Sequence, residues 1–226
     1  MGPAAVRSRG GPRLRRLPTS QDGNDRDAGV PEHAVTFEEA SPLAGEIGDV
    51  AERLVRHLGD LGVPHYIGGS IASSIHGVMR ATADVDVVVF MTPGQGRRLA
   101  ERLQREFYVS DTAAEDAIQS GGGFNVIHLA SSLKVDLFVA NVDPLAVSAM
   151  PRAARDVRGI AIASAEDILV AKLRWFRETG HSSDRQWQDV LGIVRVRGEE
   201  LDRGYCRRLA ELVGVADLLE RCHREA

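Results

Sequence analysis

The sequence predicts an α+β fold: a small mixed β-sheet with flanking helices, followed by a helical C-terminal region. Three observations predict it. Short β-branched runs alternate with helical periodicity between residues 44 and 140. Glycine and proline punctuate those runs. From Ala165 onward the apolar residues keep helical spacing. A mixed region followed by helices is the α+β order.

The elements follow one by one. Ala44 to Leu61 carries Ile47, Val50, Leu54, Val55, Leu58 and Leu61 at helical spacing, and Gly62 with Pro64 ends that helix. His65 to Ile67 reads as a short strand, cut off by Gly68 and Gly69. Ser70 is placed to cap a helix running to His76, which Gly77 ends. Asp84 to Phe90 is β-branched and reads as a strand. Pro93 and Gly94 turn the chain, and Gln95 to Phe107 reads as a crossover helix on Leu99, Leu103 and Phe107. After a glycine-rich turn, Phe124 to Leu129 and Leu133 to Ala140 form a predicted antiparallel hairpin. Gly159 to Ala163 adds one further strand. Helical patterns then carry Ile168, Leu169, Leu173 and Phe176, and afterwards Trp187, Val190, Leu191 and Val194.

The domain division follows. Residues 1–34 are rich in Gly, Pro, Arg, Asp and Ser without apolar period, and read as a disordered tail, with order beginning near Phe37. Residues 35–163 hold the mixed core, and 164–226 the helical region.

Composition narrows the function. Hydrophobic residues make up 43% and charged residues 27%, ordinary for a globular protein. The net charge of -4 gives no general attraction for nucleic acid or a membrane. No apolar run approaches the roughly 18 residues of a membrane span. The arginines near the N-terminus precede no apolar segment of the secretory kind. Cys206 and Cys222 show no C-x-x-C pairing, which argues against a disulfide scaffold or zinc site and for a reducing cytoplasm. Among 28 basic residues, lysine occurs only at Lys134 and Lys172.

The chemistry concentrates between Tyr66 and Val89. Asp84 and Asp86 stand two apart on a predicted strand, so both carboxylates point to one face while Val85, Val87 and Val89 point to the other. Paired carboxylates repel unless a cation lies between them, and hard oxygen ligands suit Mg²⁺. Asp136, on the strand LKVDLFVA, completes three acids if that strand lies beside the first. Two ions held there would activate an attacking hydroxyl and stabilise a departing pyrophosphate. Taken alone, D-x-D is common, and acids at strand ends are often only solvated. Upstream, Gly68-Gly69-Ser70 follows a strand and opens a helix, the arrangement that presents backbone N–H groups to a phosphate. Taken alone, it is a capped turn.

The order of strand, Gly68-Gly69-Ser70, helix, Arg80, Thr82 and Asp84-Val85-Asp86 resembles the nucleotidyltransferase superfamily, the polymerase-β-like fold. Its pattern is G-[GS], a spacer of roughly a dozen residues, then D-x-[DE], with a third acid on a later strand where Asp136 falls. Within the superfamily the chain looks like small bacterial proteins related to AbiEii-type toxins and aminoglycoside nucleotidyltransferases. Residues 164–173, with Lys172, and 184–190 look similar to the helical region of those proteins. Whether Asp184 or Asp189 takes the acidic position there stays open.

The resemblance implies a reaction. An NTP would bind with its triphosphate on Gly68, Gly69 and Ser70. Asp84, Asp86 and Asp136 would hold Mg²⁺, with two ions expected, and would act as the catalytic residues. An acceptor hydroxyl would attack the α-phosphate, and pyrophosphate would leave. The acceptor could be a small molecule, a protein or a tRNA end, and an antitoxin partner is a further possibility. Lys172 would contact the triphosphate; a surface lysine snorkelling from an amphipathic helix is the other reading. A non-catalytic nucleotide-binding module, or one half of a toxin–antitoxin pair, is the alternative function. Arg80, just before the metal strand, could meet phosphate and reads equally as an exposed loop residue; His76 reads as structural, and Trp175 and Trp187 as core.

Overall fold

The computed structural model describes residues 41–82 and 84–226. The tail expected over 1–34 and the start of order expected near Phe37 lie outside the described residues.

Helix α1 (Gly45–Asp60) buries Val50, Leu54 and Leu58, one residue per turn. Gly62, at φ +63°, closes it as expected of an αL glycine. Strand β1 (His65–Ile67) follows, then α2 (Gly69–His76) and β2 (Val85–Val89). Ser70 is not the cap of α2. Gly68 holds that position without a side-chain bond, and Ser70 sits inside the first turn. Asp84 lies one residue before β2.

The next region departs most from the sequence expectations. Pro93 does not merely turn the chain; it opens α3 (Pro93–Leu103), where Thr92 and Gln95 form a capping box. The helix stops at Leu103. Phe107, expected on its last turn, belongs instead to β3 (Phe107–Val109), paired with β4 (Gly123–His128). Its spacing from Leu103 fits a helix, but cross-strand pairing with His128 buries the ring almost completely and wins. Helix α4 (Asp111–Ser120), capped by Ser110 and closed by Gly121 at φ +73°, lies between β3 and β4.

The predicted hairpin is present as β4 and β5 (Lys134–Val139), antiparallel, with Val126 opposite Val135. Strand β5 then runs parallel to β2, with Asp86 opposite Asp136. Helix α5 (Pro144–Ala149), capped by Asp143, and a 3₁₀ turn lead to β6 (Ala154–Arg155) and β7 (Ala161–Ile162). The sheet order is β3-β4-β5-β2-β1-β7-β6, mixed in direction. Val85, Val87 and Val89 with Val135, Leu137 and Val139 bury one face of its centre. The opposite face carries Asp86, Val88, Asp136 and Phe138.

Four helices finish the described chain: α6 (Ala165–Glu178), α7 (Asp184–Arg197), α8 (Arg203–Leu212) and α9 (Ala216–Glu225). Ser164, Ser183 and Asp202 cap the first three. Helix α2 packs on β2 from one side and on α6 and α7 from the other. Its end meets α7 backbone to backbone. A Cβ on Gly77 would stand 2.8 Å from the Ile193 nitrogen and 2.9 Å from the Gly192 carbonyl carbon. That approach fixes the depth at which α7 crosses α2. Gly77→Ala is therefore expected to cost about 1–3 kcal/mol in urea unfolding, because a rigid backbone must shift; an unchanged midpoint would show that α7 is free to move away.

Candidate active site

Tyr66, Val88, Phe138 and the acids of the sheet form one wall of an open cleft of about 450 Å³, and α6 with the start of α7 forms the other. Gly69, Ser70, Asp84, Asp86, Asp136 and Lys172 all line it. Gly68 does not; its N–H donates to the Asp86 carbonyl at 2.9 Å and continues the sheet.

The parallel register of β2 and β5 does the first work, placing Asp86 directly beside Asp136. Gly69 does the second. It sits at φ +53°, where a side chain is strained, and a Cβ there would lie 1.7 Å from Asp86 Oδ2. The neighbouring Gly68 would meet nothing closer than 3.9 Å. Of the two glycines, only Gly69 is sterically required. Its bareness lets the Ser70 N–H reach Asp86 Oδ2 at 3.3 Å, so the N-terminus of α2 abuts the carboxylate wall.

The electrostatics of that wall are unfavourable without a cation. Burial pushes the Asp86 carboxyl above its ordinary range, the Ser70 N–H pulls it back, and the charges of Asp136 and Asp84 push it up again. Three hard oxygen donors under mutual repulsion suit a divalent cation such as Mg²⁺. Among the described residues, no three acidic, histidine or cysteine side chains gather closely enough to hold a metal by themselves. Mg²⁺ ordinarily takes one or two carboxylates and draws its remaining ligands from substrate phosphates and water. The donor set fits a metal that arrives with such a ligand.

Two residues outside the sequence-derived site bind it together. Asp189, on α7, accepts from Arg80 Nε at 2.8 Å and Arg80 Nη2 at 2.9 Å. Its Oδ2 also lies 2.8 Å from Lys172 Nζ. Arg80 Nη2 then donates to the Ser70 hydroxyl at 2.8 Å. Among the described residues no acceptor takes the Ser70 hydroxyl proton, so that proton can point to a ligand. Arg80 is thus a loop arginine that bridges α7 to the cradle instead of pointing into solvent.

Lys172 is not a snorkelling surface residue. It is 4% exposed, and Asp189 is 9% exposed. Lys172 also donates to Gln186 Oε1 at 2.8 Å, so Gln186 and Asp189, three apart on α7, grip it from one helix face. Burial pulls the Lys172 ammonium below its ordinary range against the pull of Asp189. Burial works to raise the Asp189 carboxyl, but Arg80 and Lys172 together hold it low. Of Asp184 and Asp189, Asp189 is the acid that reaches Lys172 and Arg80.

The signal for this cluster was present in the chain. Lys172 lies among Ile168, Leu169, Leu173 and Phe176 on the buried face of α6, and a buried lysine requires a partner at equal depth. Asp189, between Trp187 and Val190, is the acid whose spacing supplies it. Of the two tryptophans, Trp187 is core as expected, and its Nε1 donates to Glu225 at 2.9 Å. Trp175 is not core; it is 51% exposed and lines the cleft. His76 is structural, bonded to the Ala163 carbonyl at 2.7 Å.

Comparison with known proteins agrees with this geometry at the level of fold. No family model matches the chain, and no curated protein matches it in sequence. Among solved structures, the antibiotic-resistance factor ANT(2'')-Ia in solution matches with a TM-score of 0.52 at 16% identity, covering 79% of this chain and 97% of its own. A crystal structure of ANT(2'')-Ia in complex with adenylyl-2''-tobramycin matches at 0.50 and 14% identity, over 73% and 95%. An antigenic nucleotidyltransferase-like protein from Paracoccidioides brasiliensis scores 0.47 at 16% identity, over 78% and 91%. The chain has the nucleotidyltransferase fold.

The ion cluster makes an asymmetric prediction. Asp189→Ala strands both Lys172 and Arg80 and should cost about 3–5 kcal/mol. Lys172→Met leaves Asp189 paired with Arg80 and should cost clearly less. Urea denaturation of the two variants measures the difference; equal losses would mean that Arg80 contributes nothing.

Proposed function

We propose that this chain is a metal-dependent nucleotidyltransferase that moves an NMP group from an NTP to an acceptor hydroxyl and releases pyrophosphate. The observation that carries the reading is the junction of Gly69 and Ser70 with the Asp86–Asp136 pair. It sets a helix N-terminus, which favours phosphate, against a carboxylate wall, which favours a cation. The two have opposite charge preferences, and a triphosphate carrying Mg²⁺ satisfies both. The complex of ANT(2'')-Ia with adenylyl-2''-tobramycin supports nucleotidyl transfer as the chemistry of this fold.

In this reading the Ser70 hydroxyl donates to a phosphate oxygen while Arg80 holds it in place. Lys172 presents its ammonium at the floor of the cleft, fixed by Asp189 and Gln186, and faces the negative charge of the triphosphate. Asp84, Asp86 and Asp136 would hold one or two Mg²⁺ ions. Bound metal supplies neutralisation of the phosphates and polarisation of the attacked phosphorus. Asp136 would take the proton from the attacking hydroxyl. Fixed positioning and preorganised charge provide the acceleration.

The acceptor would enter over Trp175 and Phe138. The nearby acids Asp143 and Glu178 are both bonded to Arg174, at 2.6 and 2.8 Å, so one guanidinium answers both carboxylates. Among the described residues no helix is long and apolar enough to cross a membrane. Cys206 and Cys222 are free buried thiols, which supports placing the protein in a reducing, NTP-rich cytoplasm.

The test is pyrophosphate release and label transfer from each α-labelled NTP with Mg²⁺, against aminoglycosides, total tRNA and lysate protein. Transfer to one acceptor class is expected, with Asp86→Asn lowering the rate by at least about 100-fold. Chelation with EDTA should abolish it. Failure of the wild-type chain to bind any NTP in the presence of Mg²⁺ would refute the reading.

A further inference from the structure

Lys134 stands at the carboxylate wall, and no step of the transfer reaction uses it. It begins β5 two residues before Asp136, so the two side chains leave the same face of the sheet. Its Nζ lies 2.8 Å from Asp136 Oδ2. By register this face carries Asp86, so the ammonium occupies ground that a divalent cation would need. The pair is solvated, with the Lys134 side chain 44% exposed and that of Asp136 23%. Such pairs hold weakly.

The choice of residue matters. The chain carries 28 basic residues and only two lysines; Lys134 pairs with Asp136 of the cleft, and Lys172, which lines the cleft, pairs with Asp189. An arginine beside Asp136 would engage both carboxylate oxygens in a planar fork. A lysine offers one compact charge on a flexible stem and can swing away.

We propose that Lys134 is the resident counter-ion of the carboxylate wall, holding Asp136 until a divalent cation bound to nucleotide displaces it. The inference rests on the metal-dependent reading above. Metal and ammonium compete for one oxygen, so the nucleotide-free protein binds free metal poorly. The metal enters as the metal–triphosphate complex, whose phosphates add ligands that outweigh the lysine. The device keeps Asp136 paired when no substrate is present.

The experiment follows Mn²⁺ binding by electron paramagnetic resonance, using full-length wild type, Lys134→Met and Lys134→Arg, each first checked for folding by circular dichroism. Without nucleotide, Lys134→Met should bind Mn²⁺ about three- to five-fold more tightly than wild type. Lys134→Arg should bind no more tightly than wild type. With a non-hydrolysable ATP analogue, wild type and Lys134→Met should converge. Equal or weaker Mn²⁺ binding by nucleotide-free Lys134→Met, while both proteins retain the metal with the analogue, overturns the proposal alone. If neither protein retains Mn²⁺ even with the analogue, the metal-dependent reading fails and the proposal falls with it.

Discussion

The carboxylate of Asp189 is the point through which the helical region is joined to the site. It reaches Lys172 on α6 and Arg80 on the loop before β2, and through Arg80 it reaches Ser70 at the start of α2. Burying one acid with two bases is costly unless every charge is answered. Here it is answered because α7 approaches α2 without side chains between Gly77 and Gly192. Close backbone packing sets the depth, and the depth makes the ion cluster geometrically possible. The cluster in turn holds a lysine and a serine hydroxyl facing the cleft.

The sheet contributes the opposite kind of stress. Parallel pairing of β2 and β5 puts two carboxylates side by side with a third nearby, and the Asp86 carboxyl is raised by burial and by its neighbours. Lys134 relieves part of that stress by pairing with Asp136. Shifted carboxylates in a cleft are more common at binding sites than elsewhere on a protein. Lys172, held by Asp189, and Asp86 both line one cleft, so a fixed positive charge and a strained negative one face the same space.

Sequence made some of this legible and hid the rest, for physical reasons. Strands β2, β4 and β5 announce themselves through alternating apolar residues, because burial on one face imposes a period of two, and β1 is marked by the glycines that follow it. Their pairing next to one another was conditional in sequence and is met by the Asp86–Asp136 register. Phe107 was misplaced because its spacing fits a helix, and only a partner strand distant in sequence decides otherwise. Helices α4 and α5 were not foreseen. Arg80 reads as a loop residue until α7 is folded beside it, since nothing local marks an arginine that will be paired by a segment more than a hundred residues away. Trp175 shows the converse: helical periodicity marks the face of α6 but does not say which part of that face opens into a cleft.

The central claim is that the start of α2 and the carboxylate wall act together as a site for a metal–triphosphate. Gly69 is where they touch, so calorimetric titration of Mg²⁺–ATP into wild type and Gly69→Ala tests it most directly, with circular dichroism confirming that both are folded. The account predicts binding by wild type and its loss in Gly69→Ala, because the added methyl would fall on the Asp86 carboxylate. Undiminished binding by Gly69→Ala, or no binding by wild type, would contradict it.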